Sequence, residues 1–184
     1  LLEASGDLGA GDDVLDVAGT LDTRGGSVLL GDGDDTFIVH DTTRVLGTLD
    51  AGAGNDRLTV AVRTGAHASL DDTTGFESLG KSGQGRLVFE GDAAFADVAV
   101  FEGTLQVAAG AAIEARSTRI AQGADLRIDG TFAGTDLDDV LEVGGVVAGV
   151  GGIALGTGDD TLVLRDGADL SGLATSVDGG AGHD

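Results

Sequence analysis

Apolar residues in this chain alternate with polar ones over short stretches. Thr36-Phe37-Ile38-Val39, Arg57-Leu58-Thr59-Val60-Ala61-Val62 and Thr161-Leu162-Val163-Leu164 follow this pattern. So do Arg86-Leu87-Val88-Phe89, Leu105-Gln106-Val107 and Leu126-Arg127-Ile128. A period of two, rich in β-branched residues and bounded by Gly and Asp, predicts strands. No stretch sustains the 3.6-residue period or the caps of a helix.

The strands are punctuated by a recurring Gly-x-Gly-x-Asp-x-apolar motif. Its copies are Gly9 to Leu15, Gly31 to Phe37, Gly52 to Leu58 and Gly156 to Leu162. A degenerate copy runs from Thr135 to Leu141, and another begins at Gly180 and reaches Asp184. From Asp13 to Asp35 is 22 residues, from Asp35 to Asp56 is 21, and from Asp139 to Asp160 is again 21. The 83 residues between Asp56 and Asp139 approximate four further periods. A supersecondary unit repeated at this length predicts a β-solenoid, with two or three short parallel strands per coil. At about 4.8 Å per coil, eight or nine coils make a rod about 40 Å long. The leucine-rich repeat has a similar period, but its Leu-x-x-Leu-x-Leu-x-x-Asn signature is absent.

Composition sharpens this picture. The 184 residues include 34 Gly and no Pro, Cys, Met, Trp or Tyr. Absent Pro suits a backbone bonded from coil to coil. Absent Cys removes disulfides, thiolate chemistry and Cys-ligated zinc. The chain carries 32 acidic against 10 basic residues, a net charge of −22, which disfavours nucleic acid and anionic lipid as partners. No apolar run is long enough to span a bilayer as a helix. A chain without Met reads as an internal or processed segment, here one β-helix unit over residues 1–184.

The middle of the chain adds a family resemblance. Gly75-Phe76-Glu77 precedes Lys81-Ser82-Gly83-Gln84-Gly85-Arg86-Leu87, and Gly103-Thr104-Leu105-Gln106-Val107 follows. Residues 75–107 are similar to the passenger-associated transport repeat of bacterial autotransporters, which pairs a Lys-x-Gly-x-Gly-x-Leu strand with a later Gly-x-Leu-x-Val strand. Between the two, Asp92-Ala93-Ala94-Phe95 departs from the family's Asn-rich, Tyr-containing stretch. The resemblance implies a right-handed parallel β-helix passenger, exported to a Gram-negative cell surface through a C-terminal translocator β-barrel of the same full-length chain. It further implies a structural or adhesin-type role and a receptor on a host cell or its matrix as partner; no enzyme activity is expected, because the chain has neither the aromatics nor the long loops with which β-helix enzymes build substrate clefts.

The motif also resembles the calcium-binding nonapeptide of RTX proteins, although those repeats recur at about nine residues. Stacking would place Asp13, Asp35 and Asp56 in one column, and Asp139, Asp160 and Asp184 in another. Like charges 4.8 Å apart repel by roughly 0.9 kcal/mol in water, and by more when buried. A bound cation, backbone N–H groups or a nearby Arg would offset this. Calcium held by Asp13, Asp35, Asp56, Asp139 and Asp160 is therefore the alternative to no cofactor, and carboxylates bonded to their own turns are the simpler expectation. Asp136, Asp138 and Asp139 are an acidic cluster of the kind that a β-helix carbohydrate-active enzyme uses. His40, His67 and His183 are scattered, and no nucleophile elbow is present. Arg24, Arg44 and Arg63 recur at 20 and 19 residues and predict either a basic ladder or plain charge balance. The uncapped ends predict end-to-end association.

Overall fold

A computed structural model describes residues 2–3 and 6–184 of the chain, and every regular element in it is a β-strand. All the strand pairs are parallel, and each joins one coil to the next. Eight coils stack in this way, each contributing strands to three faces. Face I runs from Val14–Val17 through Thr36–Val39, Asp56–Ala61 and Phe76–Ser82 to Val140–Val143 and Thr161–Leu164. Face II includes His67–Leu70, Arg86–Phe89, Gly103–Val107 and Ala124–Ile128. Face III includes Thr131–Ala133, Gly152–Ala154 and Val177–Asp178. The molecule is the β-solenoid that the period predicts.

Alternation within each strand sends every second side chain inward, and register turns those side chains into columns. On face I, Val17, Val39 and Val60 continue through Lys81 to Val100, Ile120 and Val143. A neighbouring column is Leu15, Phe37, Leu58, Leu79 and Val98. On face II, Leu21, Val45, Leu70, Phe89, Val107 and Ile128 align. These columns are the core, and most of their members are fully buried. Burial of aliphatic surface is thus spread over the inner coils of the rod, at about 25 cal/mol per Å² removed from water, and falls away in the last coil.

The coils differ at the corner where face III turns into face I. In the first and last coils the chain turns through Gly and Asp. At Gly52, φ is +100°, and a Cβ would overlap the carbonyl of Gly31 in the coil below. Only glycine allows coils to approach so closely there. In the middle coils the corner has no such turn. Ala93–Val100 and Ala112–Ile120 each run unbroken from face III to face I, with Phe95 and Ala115 turned inward. The repeat shortens accordingly: Ser78 pairs with Asp97 and Asp97 with Ser117, whereas Val14 pairs with Thr36. Four coils separate Asp56 from Asp139, as the spacing predicts.

Candidate functional site

The acidic corner is where the expected chemistry falls, and its carboxylates do stack. They bond to the neighbouring coil rather than to their own turns, which corrects the simpler expectation. The Asp13 amide donates to Asp35 Oδ1 at 2.8 Å, and the Asp35 amide to Asp56 Oδ1 at 2.7 Å. The Asp56 amide donates to Glu77 Oε2 at 2.6 Å. In the last coils the Asp139 amide donates to Asp160 Oδ1 at 2.9 Å, and the Asp160 amide to Asp184 Oδ1 at 3.2 Å. Asp139 alone also bonds its own turn, accepting from the amide and hydroxyl of Thr135 at 2.7 and 2.9 Å. Backbone N–H groups bonded to a carboxylate are strong, charge-assisted partners. They are what offsets the stacked charge.

A second ladder lies one residue earlier and points the opposite way. The amides of Asp34 and Asn55 donate to Asp12 Oδ1 and Asp34 Oδ1, both at 3.0 Å. Those of Asp159 and His183 donate to Asp138 Oδ1 and Asp159 Oδ1 at 2.9 and 3.1 Å. Paired acids in the motif therefore divide the labour: the first accepts from the coil after it, the second from the coil before it. The acidity of the first position was legible in the sequence, but its ladder was not. Glu77 was also missed as a ladder member. Its 21-residue distance from Asp56 carried the signal.

The first ladder, formed by the second acid of each motif, is the buried one, with Asp35 and Asp56 each 1% exposed and Asp160 3%. The remaining oxygens, Oδ2 of Asp13, Asp35, Asp56 and Asp160, are buried without a donor. Burial, joined by the nearby charges of Glu77, Asp35 and Asp34, pushes the Asp56 carboxyl above the usual carboxylate range, against the Asp35 amide bond that lowers it. Among the described residues no three His, Asp or Glu side chains converge as a cation site.

The other candidates do not come together. Asp136 lies 3.5 Å from the Thr157 hydroxyl, while Asp138 and Asp139 are engaged in the two ladders. Arg24, Arg44 and Arg63 form no column: Arg44 pairs in register with Thr20 and Ser69, and Arg63 forms an ion pair with Asp41. His40 pairs with Asp16 at 2.7 Å, and His67 stands beside Arg86 on face II. The outer faces carry shallow open depressions. The one around Arg119, Glu142 and Arg165 measures about 470 Å³, and its two guanidiniums already flank Glu142 at 3.7 and 3.2 Å.

No protein-family model, curated protein or solved structure matches the chain.

Proposed function

We propose that the chain is a stiff stalk segment of an autotransporter passenger, exported through a translocator β-barrel of the same full-length chain and displayed on a Gram-negative surface. The observation that carries this reading is the contact between its two half-motifs. The two half-motifs lie on successive coils: Arg86 and Leu87, which end the first, pair in register on face II with Thr104 and Leu105 of the second, while Lys81 and Ser82 lie on face I. A solenoid of this kind grows by templating each coil on the last, which suits folding as the chain emerges from a pore. The test places the chain ahead of a translocator barrel in Gram-negative cells. Surface protease should remove it from intact cells, and disruption of residues 75–107 should lower display. Retention in the periplasm overturns the reading.

The partner that follows from the same reading is a receptor on host cells or matrix. Leu162 and Leu164 of the last coil are 40% and 57% exposed in columns that are elsewhere buried. Self-association end to end would cover them, and a strictly monomeric species in light scattering at high concentration counts against it. A second reading, a calcium-dependent solenoid, rests on the four buried Oδ2 atoms without donors. A melting midpoint unchanged by chelator sinks it.

A further inference from the structure

The register that builds the core of face I also aligns its outward side chains. One outward column runs from Ile38 and Thr59 through Gly80 and Ala99 to Arg119 and Glu142. Gly80 and Ala99 leave that column low on two successive coils. The backbone does not call for this glycine. Leu79, Gly80 and Lys81 pair without a break with Leu58, Thr59 and Val60, so no bulge falls there. Gly80 lacks a left-handed φ, and a Cβ on it would meet only the ring edge of Phe101, at an ordinary 3.8 Å. Glycine inside a strand weakens it, and without a bulge or bend its remaining use is to let a ligand or another backbone approach.

The low floor has two unlike walls. One is Phe101, two residues beyond Ala99, whose amide donates to the Lys81 carbonyl at 2.9 Å. It is 55% exposed, whereas the other five Phe are at most 5% exposed, and the chain has no Trp or Tyr. The other wall is Arg57, Ser78 and Asp97, stacked in register on three successive coils. Arg44, Arg63, Arg119, Arg127 and Arg165 all stand against carboxylates. Arg57 and Asp97 have no ion pair or side-chain hydrogen bond among the described residues. The open trough between the walls measures about 420 Å³, within the roughly 300–1,000 Å³ of small-ligand sites. A guanidinium only donates and a carboxylate only accepts, so an anion or a cation would satisfy one and be repelled by the other. Hydroxyls do both. We propose that this trough binds a neutral saccharide, with the C–H face of one sugar ring on Phe101 and its hydroxyls on Arg57, Ser78 and Asp97. The net charge of −22 adds to the selection against anionic sugars. The inference concerns the trough alone and holds whether or not the chain is an exported passenger.

Amide NMR on the full chain tests it, by titration with maltose, cellobiose, lactose and mannobiose, and with glucuronate as the anionic counterpart. At least one of the four disaccharides should shift the amides of Thr59, Gly80, Ala99 and Phe101 saturably at millimolar concentration, and at lower concentration than glucuronate does. Phe101→Ala should weaken that binding about tenfold or more. Gly80→Thr repeats the residue of the coil below and fills the floor. It should abolish binding while the melting midpoint holds or rises, because the strand gains a β-branched residue. Arg63→Ala, outside the trough, should leave binding unchanged. A ring that only shields the strand at Gly80 gives a different pattern: Phe101→Ala lowers the melting midpoint, and none of the four sugars shifts those amides. That pattern overturns the proposal. So does tighter binding of glucuronate, and so does a Gly80→Thr chain that binds as well as the natural one.

Discussion

The corner between faces III and I is turned in two ways along one rod. In the first and last coils it is polar, built of Gly and Asp, with carboxylates bonded to the amides of adjacent coils. In the middle coils it is apolar, an unbroken strand that tucks Phe95 or Ala115 inward. Glu77 is the boundary between the two, since it accepts the last ladder amide from Asp56. Face I stacks continuously through both regions, so the corner is a local choice laid on a common scaffold. The polar corner depends on specific hydrogen bonds, and the apolar corner on packed volume. These fail differently when altered.

The sharpest break is therefore expected in the middle. Phe95 is 5% exposed and meets Phe89 edge-to-face with centroids 5.9 Å apart. Phe95→Ala should lose about 3–5 kcal/mol in urea unfolding, because a rigid stack of coils cannot collapse into the void. A loss below about 1 kcal/mol would mean that the corner is held by the strand backbone alone.

The polar corner should yield less. Asp35→Ala removes the acceptor for the Asp13 amide, and with it the buried Oδ2 of Asp35 that has no donor. The orphaned N–H should cost about 1–3 kcal/mol. Asp35→Asn keeps Oδ1 and should cost far less, so the gap between the two variants measures the ladder bond itself. Equal losses would show that the ladder contributes nothing beyond side-chain volume. Smaller still is a surface pair such as Arg63 with Asp41, where Arg63→Ala should change stability by about 0.5 kcal/mol or less, fading with added salt.

What the sequence made legible divides along the same line. Period, strand alternation and the stacking of Asp13, Asp35 and Asp56 follow from residue spacing, because spacing is all that register needs. The direction of each ladder does not follow, since a carboxylate beside a Gly turn has amides of its own turn and of two neighbouring coils in reach. Only the three-dimensional path decides between them. Lys81 sits between these cases. Leu79 points inward, so an alternation of two puts Lys81 inward as well. A lysine in that position contradicts the usual exposure of its type. The carbonyls of Ser82, Gly83 and Glu102 that receive its ammonium are invisible until the turn is built. The basic ladder failed for a related reason: equal spacing makes a column only where each residue holds the same place on its coil.

The finest probe of the comparison is charge at the polar corner. Asp56 is buried, one oxygen accepts the Asp35 amide, and the other has no donor. Asp56→Asn keeps the acceptor and replaces the unpaired oxygen with a neutral amide, so at pH 7 it should stabilise the rod by about 1 kcal/mol. The direction of the Asp56 shift sets how this gain varies with pH. Its folded carboxyl holds a proton to higher pH than the ordinary 3.8. The stability tied to that proton is thus fully present below about 3.8 and is lost as pH rises through the raised folded value. The natural chain should recover stability on acidification while Asp56→Asn does not, and their difference should shrink toward pH 4. A difference that stays constant with pH would mean that Asp56 is compensated by a partner other than a proton, and the melting midpoint with and without chelator would then become the deciding measurement.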